Sequence, residues 1–68
     1  MRLTPRENDI ITLVADGYED KEISAKLNIS EWTIRTHLKS LFLKLEARNR
    51  SHAAAIYIKF KYSKRNKL

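Results

Sequence analysis

The sequence predicts an all-α fold, a compact four-helix domain, and three observations support this prediction. Apolar residues recur at intervals of three and four in several segments, which is the period of a helix with one buried face. The chain has a single Gly and a single Pro, too few for the many turns of a β-rich fold. It has no Cys, so helix packing rather than disulfides must stabilise its 68 residues.

The first helix has clear start and stop signals. Residues 4–7 read Thr-Pro-Arg-Glu, a capping box with Pro at the first helical position, where its missing amide hydrogen costs nothing. The helix is predicted to end at Asp16-Gly17, because Gly17 can adopt the positive φ of a C-terminal cap. Its inward stripe is predicted to consist of Ile10, Leu13 and Val14, with Ile11 on the flank.

The next two helices are joined by a short turn. Helix two is predicted over residues 21–27 and is opened by Glu19 and Asp20, of which Asp20 is the better cap. Asn28 tolerates the left-handed conformation that a sharp turn needs, and Ser30 is placed to cap helix three. A short helix, a tight turn and a longer amphipathic helix form a helix-turn-helix.

Helix three has two contrasting faces. Its buried stripe is predicted to consist of Ile34, Leu38, Leu41 and Leu45. At about 100° per residue, the opposite face carries Trp32, Arg35, Thr36 and Lys39, with no acid among them. A rigid helix that presents Arg, Thr and Lys outward has the dimensions and the hydrogen-bond donors to enter a DNA major groove.

Charge is distributed unevenly along the chain. The net charge is +6, but residues 1–34 hold four basic and seven acidic residues and are therefore net −3. Residues 35–68 hold ten basic residues and one acid, which makes them net +9. We therefore expect a polyanion to bind the C-terminal half, with a merely solvated basic face as the alternative.

A fourth helix is predicted from Asn49, its cap, through Phe60, followed by a basic tail at residues 61–68. Its inward face is predicted to consist of Ala53, Ala54 and Tyr57. So small a core is expected to bury three further apolar residues only incompletely, namely Ala55, Ile56 and Ile58. These three are expected to form a homodimer interface, with scattered surface residues as the alternative.

The sequence argues against a catalytic, metal-binding or membrane function. It has no nucleophile–base pair, no Gly-rich phosphate loop and no ligand cluster, and its two histidines, His37 and His52, are isolated. We therefore expect no enzyme activity, no cofactor, no metal and no small-molecule ligand. No segment approaches 18 apolar residues and the start lacks a signal-peptide core, so we expect a cytoplasmic protein without membrane contact.

Seven short motifs together resemble one family. They are L-T-P-R-E at 3–7, D-G at 16–17, K-E-I at 21–23, L-N-I-S at 27–30, T-I-R-T-H-L at 33–38, K-L at 44–45 and N-R-S-H-A-A at 49–54. In this order and spacing the chain resembles the LuxR/FixJ/NarL-type, GerE-like DNA-binding domains of bacteria. The resemblance implies a single domain over residues 1–68, with a core at about 3–60, that binds double-stranded DNA at the bacterial nucleoid to regulate transcription.

The resemblance also implies roles for individual positions. The base-contacting positions of the family fall on Arg35, Thr36 and Lys39, and its backbone-contacting positions fall on Lys21, Ser30 and Thr33. Helix four often pairs two copies in this family. Three positions depart from the family pattern: Trp32 replaces a small or polar residue, Leu43 a basic residue and Glu46 the usual Gly. Trp32 is expected to contact the DNA backbone.

Two other functions remain open from the sequence. The chain could be a small helical adaptor of the same fold that binds a protein through Trp32 and Leu43, which lie about three turns apart on the outward side of helix three. A cationic membrane-active peptide is disfavoured, because the capped helices with buried stripes are those of a folded domain.

Overall fold

The computed structural model describes residues 2–65 and the side chains of residues 2–63. It confirms the all-α prediction, with no strand among the described residues. The four helices are α1 (Pro5–Ala15), α2 (Asp20–Leu27), α3 (Glu31–Leu45) and α4 (Arg50–Arg65). Helices α1 and α2 both pack against α3, and α4 closes the domain mainly against α1.

The predicted capping box opens α1. The hydroxyl of Thr4 accepts the backbone N–H of Glu7 at 3.1 Å, and the carboxylate of Glu7 accepts the backbone N–H of Thr4 at 2.9 Å. Asp16 caps the C-terminus and Gly17 follows with a φ of 93°, as predicted. Both ends of α1 could be predicted from the sequence, because each helix cap is formed by residues that lie within about one turn of each other.

The start of α2 differs from the prediction. The N-cap is Glu19 rather than Asp20, and its backbone N–H donates to the carboxylate of Glu22 at 2.8 Å. Asp20 is the first residue inside the helix, and its carboxylate accepts a hydrogen bond from Arg50 at the start of α4 instead of capping α2. Local preference favoured Asp20 as the N-cap, but its side chain instead forms an ion pair with Arg50 of another helix.

The core forms where the four helices meet. Its five fully buried large side chains are Ile10, Ile11, Ile23, Ile34 and Leu41. The stripe of α3 is buried as predicted, but in α1 the prediction was partly wrong, because Ile11 is fully buried while Leu13 is only partly buried. The buried residues of α1 are Glu7, Ile10, Ile11 and Val14, which also have the spacing of one helix face, so the period of α1 does not by itself decide between Ile11 and Leu13.

Helix α4 is longer than the sequence predicted. Asn49 caps it through the backbone N–H of His52 at 2.8 Å, as expected, but the helix continues past Phe60 to Arg65. The predicted basic tail at 61–68 is thus helical at least to Arg65, and residues 66–68 lie outside the described part. Tyr57 is buried, and its hydroxyl is 3.0 Å from that of Thr12 on α1.

One buried charge was not predicted as part of the core. The side chain of Glu7 is only 4% exposed and binds α3 through Lys44 Nζ at 2.7 Å and Ser40 Oγ at 3.1 Å. Burial alone would raise the pKa of Glu7, but the hydrogen bonds from Lys44, the Thr4 backbone and Ser40, with the charge of Lys44, lower it from 4.5 to about 2. The carboxylate is therefore ionised and satisfied inside the fold.

The buried carboxylate gives a pH-dependent prediction. Because the folded pKa is depressed, the ionised form stabilises the fold fully above pH 4.5, and this contribution is lost as the pH falls from 4.5 toward about 2. We expect Glu7→Gln to lower the free energy of unfolding at pH 7 by about 2–3 kcal/mol, measured by urea denaturation.

The control for this experiment is Asp9→Asn, which removes an exposed partner of Arg6 and should cost less than about 0.5 kcal/mol. The gap in stability between wild type and Glu7→Gln should shrink markedly when the measurement is repeated near pH 2.5. A gap of the same size at both pH values would contradict the assignment of Glu7 as a stabilising ionised group.

Candidate nucleic-acid interface

The turn between α2 and α3 fixes where α3 begins. Asn28 adopts the left-handed conformation with a φ of 57°, and Ile29 packs against the core. The hydroxyl of Ser30 accepts the backbone N–H of Thr33 at 3.0 Å and donates to the hydroxyl of Thr33 at 2.9 Å. The prediction of Ser30 as N-cap is confirmed, and the first backbone N–H groups of α3 lie beside an exposed hydroxyl.

The side of α3 opposite its buried stripe is exposed, and we call it the α3 face. Its residues are Trp32, Arg35, Thr36, Lys39 and Leu43. The side chains at its two ends are the most exposed large apolar ones described, with Trp32 71% and Leu43 77% exposed. A shallow depression lies over the first two turns, lined by Trp32, Arg35, Thr36, Leu38 and Lys39.

The structure therefore brings the three predicted base-contacting residues, Arg35, Thr36 and Lys39, onto one exposed surface. The hydroxyl of Thr36 donates to the backbone carbonyl of Trp32 at 3.0 Å, so its proton is used within the helix. Of the residues predicted to contact the DNA backbone, Lys21 is exposed in the first turn of α2, and Thr33 is half-buried in that of α3.

Arg35 has acidic neighbours that the sequence pattern did not reveal. Its guanidinium lies 3.5 Å from the carboxylate of Glu31, one turn earlier on α3, and 4.0 Å from that of Asp20 on α2. Asp20 also binds Arg50 of α4 at 2.6 Å, and Arg50 donates to the carbonyl of Tyr18 at 2.7 Å. The Glu31 pair could have been found from the i, i+4 spacing, but the Asp20 contacts depend on how three helices pack.

The residues predicted as a dimer interface occupy different environments. Ala55 and Ile58 are exposed, whereas Ile56 is partly buried against the core and offers less of its side chain to a partner. Tyr62, which the sequence placed in the tail, is 57% exposed one helical turn after Ile58. A surface depression on α4 is lined by Ala55, Ile58, Lys59, Tyr62 and Ser63.

The two histidines lie on different helices. His52 braces the start of α4, where its Nδ1 accepts the backbone N–H of Arg48 at 2.9 Å, and His37 is half-buried on α3. Within residues 2–65, no group of three or more His, Cys, Asp or Glu side chains is arranged to hold a metal ion. Over the same residues, none of the helices is both long and apolar enough to span a bilayer.

Comparison with known proteins decides the family. Residues 1–57 match the GerE family model, described as bacterial regulatory proteins of the luxR family. The chain belongs to the LuxR family. It is thus a DNA-binding helix-turn-helix domain of the kind found in transcription regulators.

Regulators from two bacteria illustrate the relationship of this LuxR-family chain to known proteins. It is 46% identical over 59 residues to YhcZ, an uncharacterised transcriptional regulatory protein of Bacillus subtilis, and this match covers 87% of the present chain. It is 42% identical over 53 residues to the nitrate/nitrite response regulator NarL of Escherichia coli, covering 78% of the chain. The matched region spans only 28% of YhcZ and 24% of NarL.

A solved structure has the same fold. A chain in the crystal structure of the anti-activator RapF complexed with the response regulator ComA DNA-binding domain matches with a TM-score of 0.78 and 38% identity. The match covers 81% of the present chain and 95% of that chain. The helix-turn-helix and its flanking helices are therefore arranged as in a response-regulator DNA-binding domain.

Proposed function

We propose that the chain binds double-stranded DNA sequence-specifically to regulate transcription, with α3 in the major groove. The observation that carries this proposal is the contrast between the two sides of α3. Its stripe is buried in the core, while Arg35, Thr36 and Lys39 are exposed together on the α3 face. Arg and Lys donate to guanine, and the methyl group of Thr suits contact with thymine, so these residues match the chemistry of base edges.

In this proposal, the groups that would bind phosphates lie beside the base contacts. Ser30 and Thr33 flank the N-terminus of α3, where free backbone N–H groups and the helix dipole favour an anion. Lys21 provides an exposed charge in the first turn of α2, and Trp32 provides an exposed ring that suits a sugar of the backbone. The net charge of +6 adds a sequence-independent attraction to DNA.

Two copies are needed for tight binding in this proposal. A single small module buries only about 600–1,000 Å² of protein surface on DNA, and paired modules read half-sites about one helical turn apart or a multiple of it. We infer that two copies pair through α4, using the exposed residues Ala55 and Ile58, with Ile56 at the edge of this patch. The patch is small, so pairing is expected to be weak until both copies are on DNA.

Substitutions on α3 and α2 separate base contacts from phosphate contacts. We expect Arg35→Ala to weaken binding to a selected duplex by about 1–3 kcal/mol and to affect a random-sequence duplex much less. Lys21→Ala should weaken binding to both duplexes similarly and lower the salt slope by about one unit. Fluorescence anisotropy at several salt concentrations measures both quantities. Equal weakening of the two duplexes by Arg35→Ala would contradict direct base contact.

Pairing through α4 is tested by Ile58→Lys, which places a charge in the apolar patch. We expect binding to a duplex with two half-sites to lose its cooperativity, while affinity for a single half-site stays the same or rises slightly. Asn8→Lys adds the same charge on the exposed side of α1 and should leave cooperativity intact. Sedimentation and titration on both duplexes give the readout. Unchanged cooperativity in Ile58→Lys would mean that α4 does not join the copies.

A second candidate function is protein binding through the α3 face. Trp32 and Leu43 are highly exposed apolar residues, and a similar solved structure contains an anti-activator complexed with a response-regulator DNA-binding domain. In this alternative the chain would be an adaptor with no salt-dependent affinity for duplex DNA. A salt-dependent gel shift on random duplex would favour the DNA-binding proposal over the adaptor.

A further inference from the structure

Two carboxylates approach different nitrogens of Arg35. Asp20 Oδ2 lies 4.0 Å from Nε, and Glu31 Oε1 lies 3.5 Å from Nη2. An Arg that recognises guanine uses two parallel N–H donors, which the pair of terminal nitrogens can supply. An acid at Nε leaves that pair available, whereas an acid at Nη2 competes with the base. The two acids are therefore not equivalent.

Asp20 is also the better-anchored of the two acids. Its other carboxylate oxygen accepts a hydrogen bond from Arg50 Nη1 at 2.6 Å, while Arg50 Nη2 donates to the Tyr18 carbonyl at 2.7 Å. The Asp20 side chain is 25% exposed, against 43% for Glu31. Charge-assisted, partly buried hydrogen bonds of this kind hold a side chain in place better than an exposed pair within one helix does.

We propose that Asp20 is a positioning residue that sets sequence specificity by holding the Nε side of Arg35, with Arg50 as its anchor. The inference rests on the proposed DNA binding. Arg35 is 57% exposed and would otherwise sample many rotamers, each of which must be given up when its terminal nitrogens bind a base. At 4.0 Å the two side chains attract each other by charge rather than by a hydrogen bond, and this attraction biases Arg35 toward its observed rotamer in the free protein. Less conformational entropy is then lost on the correct sequence.

Asp20 has the opposite effect on random DNA. Its negative charge repels phosphates, and a random sequence offers Arg35 no guanine in register to compensate. Removing the charge should therefore weaken specific binding and leave random binding equal or tighter. Removing an exposed ion pair changes a binding constant by about two- to five-fold. Weaker binding to the specific duplex and tighter binding to random DNA both lower the ratio of the two affinities. We expect Asp20→Asn to lower the specificity ratio by about three- to ten-fold.

The experiment compares two probes. One is a duplex enriched by the wild-type chain from a randomised library, and the other is a pool of random-sequence duplexes of the same length. Dissociation constants are measured by fluorescence anisotropy for wild type, Asp20→Asn, Glu31→Gln and Arg50→Lys. Glu31→Gln should tighten binding to both probes. Arg50→Lys keeps the charge but loses the two-pronged anchor, so it should lower the specificity ratio in the same direction as Asp20→Asn.

Two controls separate positioning from general effects. Asp16→Asn removes the same charge at the end of α1, outside the Arg35 cluster, and should leave the specificity ratio unchanged. In an Arg35→Ala background, Asp20→Asn should no longer change the specificity ratio. If Asp20 had a purely structural role, Asp20→Asn would change the ratio in this background as well. Circular dichroism establishes that each variant is folded, and Arg50→Lys carries the test if Asp20→Asn is not.

Two results would overturn the proposal. One is an unchanged ratio in folded Asp20→Asn, including the case in which both probes are bound more tightly to the same extent. The other is an effect of Asp20→Asn on the ratio that persists without Arg35. If the wild-type chain discriminates between the probes while Asp20→Asn discriminates equally well, only the role of Asp20 fails. If the wild-type chain enriches no duplex from the library and does not bind the random pool, the proposed function fails and the role of Asp20 fails with it.

Discussion

The buried carboxylate of Glu7 is the interaction on which the orientation of α3 depends. Apolar packing holds α3 against the core but is non-directional, so by itself it tolerates some rotation of the helix about its axis. Hydrogen bonds from Ser40 and Lys44 to Glu7 are directional, and both residues lie on α3 between the buried stripe and the α3 face. Glu7 is held in turn by Thr4 at the start of α1. The capping box thus links the start of α1 to the rotation of α3.

A second acid links the remaining helices to the same face. Asp20, at the start of α2, contacts Arg35 on α3 and Arg50 at the start of α4. Together, the two acids join α3 to the other three helices through charged contacts at opposite margins of its exposed side. A small domain with few core residues can in this way present a rigid surface, which recognition of base edges requires.

The sequence predicted the features whose causes are local. The stripe of α3, the capping box of α1 and the left-handed Asn28 depend on residues within a few positions of one another, so pattern and propensity were sufficient. Features that depend on packing were missed. The capping box accounted for Glu7 locally, whereas its partners Ser40 and Lys44 are more than thirty residues away. Asp20 was likewise absent from a helical projection of α3, because it comes from another helix, whereas the pairing of Glu31 with Arg35 follows the i, i+4 spacing within α3. The predicted end of α4 at Phe60 was too early, and the sequence has no Gly or Pro after Phe60 that would mark a helix end there.

The proposed contact of the α3 face with DNA, in the orientation set by the core, is tested most directly by titrating the ¹⁵N-labelled chain with a short duplex enriched from a randomised library. Binding is followed by the chemical shifts of the backbone amides. We expect the largest changes at residues 30–39 and in the first turn of α2, with little change in the middle of α1. Changes confined to α1 or α4, with the amides of residues 30–39 unmoved, would contradict it.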